Sequence, residues 1–582
     1  MKRLIIASHY SSIESLGIMC LATVAKVAGW EVKVCLAKGR NFEPVIEEAL
    51  KFGASLVAFS VWTGYHLQIF SVCSKLKSLG IKVAMGGPHV TYFASECQRY
   101  SNWAVKGEGF RIFRRILEGL EPEGICFDPK HLAEGFPMPD RESVYERYPE
   151  FAESPIKSVI CSLGCPFSCS YCYNSLYKKI YNGFSLNVRP VDDVVEEVLR
   201  LQKRWPLQLV YFQDDIFGFN LSWLSEFAKK WKEKVGVPWH CQIRLELTKD
   251  ERRLDLFKEA GCTGITVAIE SGNEFLRRFV LLRHMSEDLI FEGVRRIKER
   301  DLALRTEQIL AVPFSDIETD LETLKMNISL KPEIAWTSIL VPYVGTEIGN
   351  LASNFGFYNG NNDELSDSFF DRSILRHIAG GPRSIKPIVL KNMLPSENNP
   401  LCRMKAVTCG GIFGADVCFA DSGCYLGKIE YLSRVESEIY RERMAVLQRC
   451  FVWFAKIPAG ELLAGKITGL FPEDLSWKRV GEETRRHLEK NGCKEKLEGW
   501  ENNLYEEADY SSETVPRILS DNPFFFCFFP SGGELARTFA GEFGKEYLSR
   551  KVFDTAGSLG RRWLYERSLY KIKSAKPPIA FF

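Results

Sequence analysis

The chain has 582 residues, 46% hydrophobic and 26% charged, with a formal net charge of +2. That length exceeds what one hydrophobic core serves, so two to four domains are expected. Lysines and arginines are scattered among acids, which excludes the basic footprint of a nucleic-acid binder. The longest apolar block, residues 524–529, is far short of a membrane span.

The opening MKRLIIASHYSSIES has basic residues but an apolar stretch too short for a signal peptide, so a cytoplasmic protein is expected. LIIAS (4–8), EVKVCLA (31–37), SLVAFSV (55–61), KVAMGG (82–87) and AVKGEG (104–109) read as buried strands. Between them, patterns such as LGIMCLATVAKVAG and HLQIFSVCSKLKSLG place apolar residues at i, i+3 and i+4. This alternation predicts an α/β domain over 1–125: a flavodoxin-like, doubly wound parallel sheet with its ligand beyond the carboxyl ends of the strands. Residues 121–156 are rich in Pro, Glu and Asp, as in GFPMPDRESVYERYPEFAESP, and 126–156 read as a linker.

A second alternation begins at Lys157. KSVICS, QLVYFQ, HCQIRLE, GITVAIE, LRTEQILAV and IAWTSILVPY read as six strands. Between the first two, Val191, Val194, Val195, Val198 and Leu199 share one helical face behind an acidic first turn. The pattern predicts a partial (β/α)6 barrel over 157–350, with its chemistry at the carboxyl ends of the strands. Beyond it the alternation fails. Residues 352–430 are irregular, 430–455 read as helical, and the rest is mixed and aromatic, so 351–582 is expected to be a mixed, largely helical domain capping the substrate site. No solenoid-type repeat is present.

Eighteen cysteines are many for a cytoplasmic chain, where disulfides are disfavoured and metal binding or burial must account for most of them. Four fall in CSLGCPFSCSYCYN (161–174), where Cys165, Cys169 and Cys172 form C-x3-C-x2-C. Soft thiolates on one loop suit an iron–sulfur cluster or zinc. Structural zinc usually wants two separated pairs. Three cysteines on one loop suit a four-iron cluster in which one iron lacks a protein ligand, free to bind a small molecule and pass it an electron. Cys161, on the strand side, reads as a buried bystander. Cys402, Cys409, Cys418 and Cys424 are spaced C-x6-C-x8-C-x5-C, which fits either a second metal site or, preferably, small apolar residues of a folded insertion. NPFFFCFFP reads as core packing rather than as a substrate cavity or a membrane contact.

C-x3-C-x2-C with Tyr171 before its last cysteine, following the first strand of a βα barrel, resembles the radical S-adenosylmethionine (SAM) superfamily. Ahead of it SVWT, MGGPHVTYF and VKGEG resemble a cobalamin-binding domain. GFPMPDR, GCPFSCSYCYN, YFQDDIF, VAIESG and VPYVGTEI then follow in the order used by cobalamin-binding radical SAM enzymes. The resemblance covers roughly 1–350 and, more weakly, 430–470. It implies a [4Fe-4S] cluster on Cys165, Cys169 and Cys172, with Tyr171 beside it positioning the adenine. It implies SAM held by Asp214, or else Asp215, at its amino group, by Glu270 at the ribose and by Arg244 at the carboxylate. It also implies cobalamin wrapped by strand-end loops bearing Ser60, Gly86, Gly87 and Gly107. The D-x-H-x-x-G motif that supplies an axial histidine is absent: SHYSSIESLG has different spacing. His9 therefore reads as a polar strand-end residue, His89 as a loop or tail contact, and Trp62 as a candidate cover for cobalt's lower face. AVPFSDIETD stands where the family often has GLPGET, and the lost glycines leave the local backbone path open. The implied activity is C-methylation: a 5′-deoxyadenosyl radical abstracts hydrogen from an unactivated carbon, which then takes a methyl group from methylcobalamin. The alternatives are cyclisation, rearrangement or carbon–carbon coupling on the same scaffold, or a non-catalytic iron–sulfur protein. The expected partners are a small-molecule substrate, apolar or planar, and an electron donor such as flavodoxin or ferredoxin.

Overall fold

Six strands, β1 (Arg3–His9), β2 (Glu31–Ala37), β3 (Leu56–Ser60), β4 (Lys82–Gly86), β5 (Trp103–Lys106) and β6 (Gly124–Phe127), form an all-parallel sheet of order β2-β1-β3-β4-β5-β6. The structure, a computed structural model, describes residues 2–11, 13–129, 136–183, 186–365, 372–378, 431–455, 459–470 and 477–491. The sheet is buried on both faces, which is why its strands are continuous apolar runs. Leu4 and Ile6 pack with Ile18, Ile112 and Phe113, while Ile5 and Ala7 pack with Val45, Phe70 and Leu76 on the other face. The chain leaves β1 for β2 on one side and returns to β3 on the other. The ligand crevice of a doubly wound sheet belongs at that reversal. β6 occupies the end of the first domain and the beginning of the expected linker. Its four residues carry too little periodicity to read alone, and pairing of Trp103 with Gly124 and Lys106 with Phe127 makes it a strand.

The second sheet uses β7 (Ile156–Val159), β10 (Leu209–Phe212), β11 (Trp239–Ile243), β12 (Cys262–Glu270), β13 (Ala303–Leu310) and β14 (Ile334–Ile339), parallel and ordered β14-β13-β12-β11-β10-β7. Between β7 and β10, β8 (Ser162–Leu163) pairs antiparallel with β9 (Asn187–Val188). The sheet curls into a half-barrel, its convex side covered by helices. Val210, Phe212, Trp239, Ile265 and Val267 meet Val194, Phe227 and Trp231 there. Helix Val191–Arg204 buries Val191, Val194, Val195, Val198 and Leu201, with Leu199 at the margin.

The segment between the sheets does more than connect them. The Arg141 guanidinium is buried and reaches Glu14 of the first domain at 2.7 Å, Glu197 of the barrel at 2.6 Å and the Ser158 carbonyl at 2.6 Å. Arg189 donates to the other oxygen of Glu197 at 2.5 Å. This network ties three segments together without exposing a charge.

Within 351–582 the described residues form helices Glu347–Asn354 (which begins in the barrel), Arg434–Phe454, Gly460–Thr468 and Trp477–Lys490, and a short 3-10 turn, Asn362–Glu364. The longest lies along the edge strand β14, where Gln448 Nε2 donates to the Thr337 carbonyl at 3.0 Å. Cys402, Cys409, Cys418, Cys424 and the 524–529 block lie outside the described residues. Among the described residues no helix is long and apolar enough to cross a membrane.

Candidate active site

The cysteine loop leaves β7 at the carboxyl end of the half-barrel, and the β8–β9 ladder closes its base. Lys178 pins the loop from above, its ammonium donating to the Pro166 and Phe167 carbonyls at 3.0 and 2.7 Å. Ser170 ties the far side through its hydroxyl to the Val280 carbonyl at 2.6 Å. Cys169 is buried, and Cys165 and Cys172 are partly accessible. Burial pushes the Cys172 thiol up to about 12, with Asp215, Cys169 and Cys165 adding to the effect. Burial raises Cys165 as well. The three thiols are near enough to feel one another's charge, and Cys161 does not join them: it is 1% exposed and packs in the core behind the sheet. Among the described residues no three His, Cys, Asp or Glu side chains close tightly around a single ion. In a four-iron cluster each thiolate takes a different iron, so the thiols stand apart.

Two guanidiniums converge on Cys169. Arg244 Nη1 lies 3.2 Å and Arg283 Nη1 3.7 Å from its sulfur. The donor set therefore fits an iron–sulfur cluster: soft ligands on one loop, with N–H groups aimed at a ligand sulfur.

The expected SAM contacts are placed unequally. Asp214 is turned away from the loop. Its carboxylate accepts from Cys161 N at 3.0 Å and Ser162 Oγ at 2.5 Å, and burial pushes it up to about 7 against those bonds. These bonds tie it to the turn after β7. Asp215, the second choice, faces the thiols. Solvent reaches it, yet protein walls it in, and desolvation raises its carboxyl while Asn174 and Gly164 N hydrogen-bond to it. Arg244 does not present an open fork, because Glu246 takes Nε at 3.0 Å and also Nη2, and the guanidinium stacks 3.9 Å from the Phe167 ring centroid. Glu270 ends β12 with φ +71, where the register with β13 slips. It is buried and accepts from Tyr171 Oη, while Arg283 stands 3.8 Å away. Burial raises its carboxyl, and Arg283 and Tyr171 oppose the rise. Arg283 was not expected from the sequence. A lone arginine between Leu282 and His284, just after a π-helical turn, gives no periodic signal.

The carboxyl ends of both sheets border one cavity of about 690 Å³. Ser8, His9, Ser60, Trp62, Gly86, Gly87 and Gly107 line it from the first domain, and Ile160, Leu163, Tyr177, Gln213 and Tyr343 from the second. It runs down past Ile6, Ala58 and Ala84 toward Leu16, Ile18 and Phe113, an apolar slot at the β1–β3 reversal. Trp62 is 44% exposed into this space, and His9 stacks on Tyr65 with centroids 4.7 Å apart. His89 is fully buried against His66 and lies outside the cavity lining. Gly87 has φ +99, and a Cβ there would meet Val61 backbone atoms at 3.0 Å. Gly107, which lines the cavity, also admits a second close approach. Its missing Cβ makes room for Tyr181 Oη, which would stand only 2.4 Å away. Tyr181 also accepts from Glu108 N at 2.8 Å, and Tyr173 donates to Thr91 at 3.0 Å. The tyrosines at four-residue spacing just after Cys172 thus fasten the thiol loop to the first domain. Gln213 Nε2 is buried and meets no partner among the described residues. An apolar slot with an unsatisfied amide at its mouth fits a large, mainly apolar ligand that carries polar acceptors.

Residues 2–117 match the B12 binding domain family and residues 159–326 the radical SAM superfamily. The chain thus carries a B12-binding domain ahead of a radical SAM domain. It is 25% identical over 365 residues to an uncharacterized methyltransferase, PH0819, of Pyrococcus horikoshii, spanning 58% of this chain and 78% of that one. It is 34% identical over 120 residues to the cytidylyl-2-hydroxyethylphosphonate methyltransferase of Streptomyces wedmorensis, covering 20% of this chain and 22% of that relative. The solved structure of the cobalamin-dependent SAM radical enzyme OxsB, with aqua-cobalamin and SAM bound, shares the fold at a TM-score of 0.51 and 11% identity, over 98% of this chain and 85% of that one.

Proposed function

We propose that the protein is a cobalamin-dependent radical SAM C-methyltransferase that adds a methyl group to an unactivated carbon of a small molecule. The reading is carried by the shared cavity: one space bordered by the B12-type sheet and by the carboxyl end of the barrel, with the thiol loop fastened to both. Cys165, Cys169 and Cys172 would hold the [4Fe-4S] cluster. Asp215 would accept the SAM ammonium, and Glu270 a ribose hydroxyl once Tyr171 yields it. When bound, the cluster supplies the electron that cleaves SAM and the corrin supplies the transferable methyl group.

The chain's own part is placement. Tyr173 and Tyr181 lock the thiol loop against the strand ends that line the corrin space, so both cofactors share one frame. The apolar walls of the slot keep water from reactive carbon. Trp62 would cover one corrin face, and Gln213 would donate to a carbonyl at its edge. The substrate enters from the barrel rim, and a one-electron carrier such as flavodoxin or ferredoxin supplies the cluster.

The test is anaerobic turnover of the reconstituted, cobalamin-loaded protein with SAM labelled in its methyl group, against extracts of the source cell. Label in a carbon-bound methyl of the product supports methyl transfer. A product formed with 5′-deoxyadenosine but without label would replace that reading with cyclisation or rearrangement.

A further inference from the structure

Arg244 and Arg283 are 6% and 5% exposed and lie on different elements: Arg244 follows β11, and Arg283 follows the π-helical turn Leu276–Val280. Burying two guanidiniums side by side is costly unless something gathers them. Each has a carboxylate of its own, Glu246 for Arg244 and Glu270 for Arg283, which balances its charge. Yet each also turns an N–H toward the same atom, Cys169 Sγ, at 3.2 and 3.7 Å. Among the described residues no guanidinium hydrogen-bonds to Cys165 or Cys172; Asn174 Nδ2 stands 3.7 Å from Cys172 Sγ.

We propose that Arg244 and Arg283 are positioning residues that set the reduction potential of the cluster through Cys169, making this thiolate the electron-poor ligand of the three. This rests on the cluster assignment above and adds to it. Hydrogen bonds to ligand sulfurs draw electron density from the iron and stabilise the reduced cluster, which carries one more negative charge. Since each guanidinium is already balanced by its own carboxylate, the effect works through the N–H groups more than through net charge. Arg283 also donates to Tyr171 Oη at 3.3 Å and stands 3.8 Å from Glu270, so the side chain that reaches Cys169 also touches the groups expected to meet the adenine and the ribose. Glu270 accepting a ribose hydroxyl in place of Tyr171 would leave Arg283 freer to close on Cys169, coupling SAM binding to ease of reduction.

The experiment is a redox titration of the anaerobically reconstituted full-length protein with mediators and dithionite as electron source, followed by the electron paramagnetic resonance of the one-electron-reduced cluster. Wild type, Arg244→Met, Arg283→Met and the two Arg→Lys variants are compared without SAM, and wild type and Arg283→Met also with SAM. Each methionine variant is expected to move the reduction equilibrium at least tenfold toward the oxidised cluster, 59 mV for one electron. Arg244→Met should move further because its contact is shorter. The lysine variants should fall between, and the shift SAM causes in wild type should shrink in Arg283→Met. Midpoints equal to wild type in variants that hold a full iron complement overturn the proposal. Should a methionine variant take up no iron, its lysine counterpart decides on the same criterion. Absence of any cluster in wild type would instead overturn the cluster assignment.

Discussion

Replacing Arg141 by methionine should loosen the joint between the two sheets more than any surface change. In the wild type its guanidinium satisfies Glu14 at 2.7 Å, Glu197 at 2.6 Å and the Ser158 carbonyl at 2.6 Å, all in a buried setting. Methionine keeps the volume and removes the charge. Glu14 is then left with Tyr145 and Ser158 N, and Glu197 with Arg189. Leaving a buried charge short of its partner costs about 3–5 kcal/mol. The remaining donors soften that, so we expect ~3 kcal/mol. Glu197 keeps one cation, so Glu14 bears most of the loss, and adding Glu14→Gln to Arg141→Met should recover roughly half. The assay is urea unfolding followed by tryptophan fluorescence, with cobalamin uptake measured in parallel, because the joint frames the cavity. A loss below about 0.5 kcal/mol, or a double variant weaker than the single one by the full cost of Glu14→Gln, would refute the idea that this network holds the domains together.

Gly107→Ala should destabilise the protein by roughly 1–3 kcal/mol, since φ is +78 and the new Cβ would press on Tyr181 Oη. Thermal unfolding checks this, and Tyr181→Phe in the same chain should restore part of the loss. Ala311 has φ +56, so Ala311→Gly should stabilise by roughly 0.5–1 kcal/mol, the relief of a left-handed residue less glycine's extra unfolded freedom. Denaturant midpoints read the change. Asp320 is buried and accepts from Ala311 N at 3.0 Å, and burial pushes its carboxyl up to about 8. An acid whose folded value lies above its unfolded value of about 4 contributes stability that is full below that pH and fades as pH rises to about 8. Asp320→Asn should therefore flatten the pH dependence of unfolding between these limits, and an unchanged slope would contradict the assignment.

The strands of both sheets were legible because parallel strands buried on both sides must be written as unbroken apolar runs, as in EVKVCLA and GITVAIE. The partial barrel and the place of the thiol loop after its first strand followed from the same alternation. What the sequence hid were contacts between distant segments and directions beyond strand ends. After β10 the two-residue period lapses, so nothing in QDDIF tells which aspartate faces the thiols. The structure points Asp215 there and folds Asp214 back onto Cys161 N and Ser162. Glycine at 107 signalled a close approach but not its object, a tyrosine 74 positions later. Arg244 was legible as a strand-end cation, but its capture by Glu246, two residues on, leaves no mark in the sequence pattern. The lost glycines of AVPFSDIETD turn out to be a matter of strain. Ala311 and Phe314 both take left-handed conformations, with φ of +56 and +71, and Phe314 is held there by Phe275, Phe355 and Phe357.

The most direct measurement is the amount of 5′-deoxyadenosine released when the anaerobically reconstituted protein meets SAM and dithionite, beside a variant with Cys165, Cys169 and Cys172 all changed to serine. Wild type should hold four irons per chain and release the nucleoside, and the serine variant should do neither while keeping its fold. Release by the serine variant, or none from iron-loaded wild type, would contradict the account at its foundation.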